Sequence, residues 1–168
     1  MVLMAAAVMA LLVQQPASGG RSGDPLFGPP PRVTISASAT AVPAGWRVQA
    51  TVTPLPGIHV YAPGSQGYIG VSYAVALPAG WKATPPGFPE AEPYVFGELK
   101  EVVNVYQKPF VITQTITPSV PRAAKSTTLV GTLKYQACTD RVCYPPQEQA
   151  VNVVLPALPS HAHAKKPE

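Results

Sequence analysis

The chain has 168 residues, of which 46% are hydrophobic and only 12% charged, with a net charge of +4. That is enough apolar material for one sizeable core, and it fits a single domain. The Lys and Arg residues are scattered from Arg21 to Lys166 with no run longer than Lys165–Lys166, so there is no phosphate-tracking stripe and no nucleic acid partner is expected.

In chain order the first element is an export signal, expected over residues 1–18. Val2 to Val13 reads "VLMAAAVMALLV", apolar and uncharged, and "QQPASGG" follows as a small, polar cleavage region. No Lys or Arg precedes the apolar run, which departs from the usual signal pattern. The run falls short of the roughly 20 apolar residues that cross a bilayer, and no later segment comes close, so the mature chain is expected to carry no transmembrane segment. Residues 19–31, "GGRSGDPLFGPPP", have linker composition. Export places the chain outside the cytoplasm, where a close cysteine pair is either a stable disulfide or one that cycles with its dithiol.

Twenty-two prolines and thirteen glycines punctuate the chain, and no window after residue 20 keeps apolar residues at helical spacing for three turns. Runs rich in β-branched residues with period-two alternation recur instead. They are "RVTISASAT" (32–40), "WRVQATVTPL" (46–55), "IHVYAP" (58–63), "GVSYAVAL" (70–77), "EVVNVY" (101–106), "FVITQTITP" (110–118), "TTLVGTLKYQA" (127–137) and "QAVNVVLPAL" (149–158). Phe110, Ile112 and Ile116 share one face of the sixth run, and Leu129, Gly131, Leu133, Tyr135 and Ala137 share one face of the seventh. About eight short antiparallel strands predict an all-β, immunoglobulin-like β-sandwich over residues 32–158, with a closed β-barrel as the runner-up. Residues 159–168 read as a polar tail.

The only two cysteines, Cys138 and Cys143, lie in "YQACTDRVCYPP" (135–146). Cys138 closes the strand that begins near Thr127 and Cys143 precedes the last strand, so "TDRV" connects a hairpin that the cysteines flank. Paired Cα atoms on neighbouring antiparallel strands are about 5.5 Å apart, within reach of a disulfide. Closing so short a loop removes only about 2 kcal/mol of unfolded-state entropy, which makes it a poor staple. An accessible hairpin at a sandwich end suits redox exchange better: Arg141 favours a thiolate, Asp140 opposes it, and Tyr144, Pro145 and Pro146 form a stiff, partly apolar rim. On these residues alone a structural disulfide and a redox-active one both stand.

"YQACTDRVCYPP" resembles the active-site hairpin of the N-terminal periplasmic domain of the thiol:disulfide interchange protein DsbD. There a Tyr-Gln pair, a cysteine, a short spacer, a second cysteine and a Tyr/Leu-Pro-Pro follow in that order. "PLPGIHVYAPG" (54–64), "LPAGWKATPPGFP" (77–89) and "YVFGELKEVVNVYQKPFVITQTI" (94–116) are similar to that family's earlier segments. The resemblance implies an immunoglobulin-like domain that relays reducing equivalents to envelope proteins, with no cofactor and no metal. It implies Cys143 as the cysteine that attacks the partner and Cys138 as the resolving one. Periplasmic thioredoxin-like proteins are the implied partners, such as disulfide isomerases and the thioredoxin of cytochrome c maturation. With no membrane-length segment and no further cysteine here, the expected electron source is a membrane thiol reductase acting in trans, or else another donor to a free-standing domain.

Two departures stand out. The family hairpin often has five residues between its cysteines, and this one has four. The family also shields its disulfide with an aromatic residue on a cap loop. In "EAEPYVFGE" Val95 stands where that aromatic is expected, so shielding falls to Tyr94 or Phe96. Elsewhere, His161 and His163 have no third ligand nearby and read as a solvated tail. His59 lies in a strand pattern and reads as a satisfied strand histidine. The alternative to a redox role is a secreted β-sandwich binding module whose disulfide only pins the hairpin.

Overall fold

The computed structural model describes residues 29–96, 100–119 and 125–158. The expected signal and most of the linker, and with them His161 and His163 of the tail, lie outside the described residues. No described residue is helical, so no helix there is long and apolar enough to cross a membrane.

The strands are β1 (Val33–Val42), β2 (Gly45–Pro54), β3 (His59–Tyr61), β4 (Ser72–Val75), β5 (Lys82–Ala83), β6 (Glu92–Phe96), β7 (Glu101–Tyr106), β8 (Phe110–Thr117), β9 (Thr127–Tyr135), β10 (Ala137–Cys138) and β11 (Gln147–Leu155). They pair antiparallel into three sheets, ordered β1-β2-β8-β5, β11-β9-β4 and β10-β3-β7-β6. The first sheet packs against the other two. This is the antiparallel, immunoglobulin-like sandwich that the alternating runs predict.

Each run buries the face its pattern assigns. Trp46, Val48, Ala50 and Val52 of β2 and Phe110, Ile112 and Ile116 of β8 point inward, and they meet Leu129, Leu133 and Tyr135 of β9 with Val153 and Leu155 of β11. Gln114 fills the remaining inward position of β8, donating from Nε2 to the Thr84 carbonyl over 2.7 Å. Trp46 stacks on Trp81 with ring centroids 5.2 Å apart, and its Nε1 donates to the Pro156 carbonyl at 2.8 Å. Removing side chains of this size from water is worth about 1.5–3 kcal/mol each, so these layers supply most of the drive to fold.

The short sheet decides where the site sits. The run from Thr127 to Ala137 breaks at Gln136, whose Nε2 donates to the Tyr144 carbonyl at 3.2 Å. Up to that point the chain is β9, paired with β11 and β4; beyond it the chain is β10, paired with β3. Alternation continues through the break, so Ala137 joins the main core while Cys138 goes to the opposite face. Val60 and Tyr106 likewise face the core, leaving His59, Tyr61, Val103 and Val105 on the outer face with Cys138.

Candidate functional site

Cys138 and Cys143 form a disulfide with Cα atoms 4.1 Å apart, and they pair as an isolated antiparallel bridge. Two backbone bonds flank them: Thr139 N donates to the Val142 carbonyl at 2.8 Å, and Tyr144 N to the Ala137 carbonyl at 2.9 Å. The cysteines therefore occupy the non-hydrogen-bonded position between two bonded pairs, where strands approach to about 4.5 Å. That is closer than the 5.5 Å spacing of a bonded pair. The turn itself is tied down by Thr139, whose Oγ1 accepts from Val142 N at 3.0 Å and from Arg141 N at 3.2 Å. A threonine hydroxyl serving two amides is a local device that holds a short turn closed.

The two cysteines differ sharply in access. Cys138 is 0% exposed, whereas Cys143 is exposed at the surface. Cys138 is sealed by Tyr61, Val103 and Val105, with Tyr94 and Tyr68 packed against them. Tyr68 comes from the loop after β3 and stacks on Tyr61 with centroids 4.2 Å apart; its hydroxyl donates to Glu101 Oε2 at 2.8 Å, clamping the loop to β7. Tyr61 is fully buried, and its hydroxyl lies 3.4 Å from Cys143 Sγ. Burial, and then the neighbouring Tyr68, Glu101 and Tyr94, push the Tyr61 hydroxyl up to about 12, so it stays protonated near neutral pH and can donate.

His59 stands directly across from Cys138 in the β10–β3 register. It is buried, and its Nε2 has no hydrogen-bond partner. The strand pattern suggested a satisfied histidine; the structure corrects this, because Nε2 is buried without a partner while tyrosine rings pack against the imidazole. Tyr94 lies 4.5 Å away, centroid to centroid, and Tyr61 meets it edge-on at 5.6 Å. Desolvation holds His59 below the ordinary histidine range, opposed by the Asp140 carboxylate. An open cleft lined by Gly57, Ile58, His59, Tyr94, Gln107 and Asp140 runs beside it.

Of the residues expected to shield or rim the pair, Tyr94 packs against the cluster that holds Cys138. Phe96 ends β6, and its side chain lies outside the described residues. Val95 points away into solvent at 59% exposure. Tyr144 turns its ring to the other side, packing on the main core beneath Arg32, whose guanidinium lies 3.9 Å from the ring centroid. Pro145 is exposed just beyond Cys143. Tyr61, Tyr68 and Glu101 were not singled out in the sequence; the spacing of His59 and Tyr61 in "IHVY" is the signal that puts both on the Cys138 face.

Residues 29–155 match the family described as "Thiol:disulfide interchange protein DsbD, N-terminal". Among solved structures the chain is similar to the reduced DsbD N-terminal domain of Neisseria meningitidis, at 17% identity and a TM-score of 0.46, covering 71% of this chain and 83% of that one. The same organism's DsbD N-terminal domain in complex with the PilB N-terminal domain gives 16% identity and a TM-score of 0.47, over 70% of this chain and 80% of that one. The N-terminal periplasmic domain of ScsB from Proteus mirabilis gives 17% and 0.49, covering 74% of this chain and 47% of that one. No curated protein matches the chain. With the family match spanning most of its length, the chain belongs to the family of DsbD N-terminal domains, whose business is thiol–disulfide exchange.

Proposed function

We propose that this chain is a periplasmic thiol–disulfide exchange domain that relays reducing equivalents to envelope proteins, with Cys143 meeting the partner and Cys138 resolving. The observation that carries this reading is the contrast between an exposed Cys143 and a fully buried Cys138 across a disulfide that closes only a short turn. Exchange proceeds by in-line attack of a thiolate on an accessible sulfur. In the dithiol form the Cys143 thiolate attacks a partner disulfide, and one partner sulfur leaves as a thiolate. Cys138 then attacks Cys143 Sγ, the mixed disulfide breaks, and the second partner sulfur departs. Two electrons have passed to the partner, and the domain is left with its Cys138–Cys143 bond.

Recharging reverses these steps. An incoming thiolate reaches Cys143 Sγ, and Cys138 is the leaving group. The Tyr61 hydroxyl, 3.4 Å from Cys143 Sγ in the disulfide, is placed to donate to the Cys143 thiolate of the dithiol form before it attacks a partner. Tyr94 covers the buried side between encounters. Partners of this kind are thioredoxin-like proteins and a membrane thiol reductase acting in trans; the N-terminal apolar run supports export to the periplasm, where both meet the domain.

Two measurements test this. A reduction potential in the range of about −270 to −180 mV supports cycling, and one well below about −300 mV marks a structural bond in a binding module. The Cys138→Ala variant is expected to accumulate mixed disulfides with envelope proteins. If Cys143→Ala accumulates them instead, the two roles are reversed.

A further inference from the structure

The resolving step leaves one need unmet. Cys138 must lose a proton as it attacks, yet in the disulfide form it is 0% exposed and walled by Tyr61, Val103 and Val105. A buried thiol in apolar surroundings resists ionisation. The chain places one titratable base on the same face. His59 sits opposite Cys138 in the antiparallel register, where side chains project together and Cβ atoms are about 4.5–5.5 Å apart. Its Nε2 is buried and has no hydrogen-bond partner, an unusual state for a buried polar atom.

We propose that His59 is the proton acceptor for Cys138 during resolution, with Asp140 holding the charge that results. This inference rests on the exchange reading above. As Cys138 attacks Cys143 Sγ, the S–H bond breaks and its proton passes to the imidazole. The Cys138–Cys143 bond forms, the bond from Cys143 to the partner breaks, and that electron pair leaves with the partner sulfur. The imidazolium then faces the Asp140 carboxylate across the cleft they both line, and through that cleft the proton reaches solvent. In the recharging direction the same route returns a proton to the Cys138 thiolate.

The groups facing His59 are consistent with this task. From β10 and its turn come Cys138 and Asp140, from its own strand Tyr61, and from β6 Tyr94. Asp140 is the only carboxylate among them. Burial keeps the imidazole neutral at rest, which is the form a base requires. The tyrosine rings on either side fix its orientation without occupying Nε2.

The test uses the full chain, reduced and mixed with oxidised glutathione, following the glutathionylated intermediate by mass spectrometry between about pH 5 and 9. His59→Gln is expected to form the intermediate at the normal rate but to resolve it about a hundredfold more slowly near neutral pH, the lower end of a positioned base's contribution. Its resolution rate should keep rising with pH where the unmodified chain has levelled off. Asp140→Asn should slow resolution less and move the levelling-off to lower pH, because the carboxylate that raises the His59 proton affinity is gone. His59→Phe, which preserves the aromatic packing without a base, guards against a folding defect and should behave as His59→Gln does. Normal intermediate with unaltered resolution in both His59 variants overturns the role of His59 alone. Absence of any intermediate in every variant, the unmodified chain included, overturns the exchange reading and this inference with it.

Discussion

His59 carries a consequence for stability that is independent of its chemistry. Desolvation lowers its affinity for protons in the folded chain below that of the unfolded chain, with Asp140 offsetting part of the effect. The unfolded chain therefore binds the extra proton first on acidification. Stability is full above the ordinary histidine value of 6.5 and is lost as pH falls from there through the folded value. Thermal unfolding across this window should show the Tm of the unmodified chain falling with pH and that of His59→Gln falling less. Parallel curves for the two would mean that His59 carries no such penalty. The sequence gives no hint of this property, because a histidine in an alternating strand looks the same whether its neighbours satisfy it or only enclose it.

Among elements, β9 shows how tightly two strands can specify each other. A Cβ placed on Gly131 would lie 2.4 Å from the Tyr73 hydroxyl and 2.9 Å from two atoms of its ring. Tyr73 is buried on the neighbouring β4, and its hydroxyl has no hydrogen-bond partner. Burial pushes that hydroxyl up to about 12, so it is a neutral, unsatisfied group. Gly131→Ala is expected to destabilise the domain by about 1–3 kcal/mol through overpacking, read from urea denaturation. Tyr73→Phe removes the unsatisfied hydroxyl, which is also the nearest atom to a Cβ at position 131, and should be neutral or stabilise by about 1 kcal/mol. If Gly131→Ala costs the same in the Tyr73→Phe background, the hydroxyl contact is not its cause. The inward face of β9, with Leu129, Gly131, Leu133 and Tyr135, is legible from alternation, whereas the pairing that makes Gly131 necessary is not. The two-residue β5 and the proline-containing β6 also escape a pattern-based reading, since neither runs long enough without proline to establish a period.

For the whole molecule, the core forms between layers, in clusters separate from the one that holds Cys138. Trp46, Ile112, Ile116, Leu133 and Leu155 are fully buried in clusters that do not include Cys138. Opening the disulfide therefore removes only a short-loop constraint and leaves these clusters intact. Oxidised and dithiol forms should both unfold cooperatively, with free energies that differ by about 2 kcal/mol. Unfolding of the domain on reduction would mark the bond as a staple, contrary to a domain that must work in both states.

Period-two alternation is local, so the sequence by itself determined that this chain folds into antiparallel strands and which face of each long strand is apolar. The spacing of Cys138 and Cys143 between two such strands likewise determined a hairpin with a disulfide at its end. Whether a strand's second face meets water depends on what crosses it from elsewhere in the chain, and only the tertiary structure decided that. The break at Gln136 moves Cys138 into a different sheet from the strand that leads to it, and Tyr61, Tyr68 and Tyr94 arrive from three separate segments to close over it. The same covering leaves Cys143 outside and encloses His59 beside the buried sulfur. Accessibility separates one cysteine from the other, and accessibility is a property of the assembled layers.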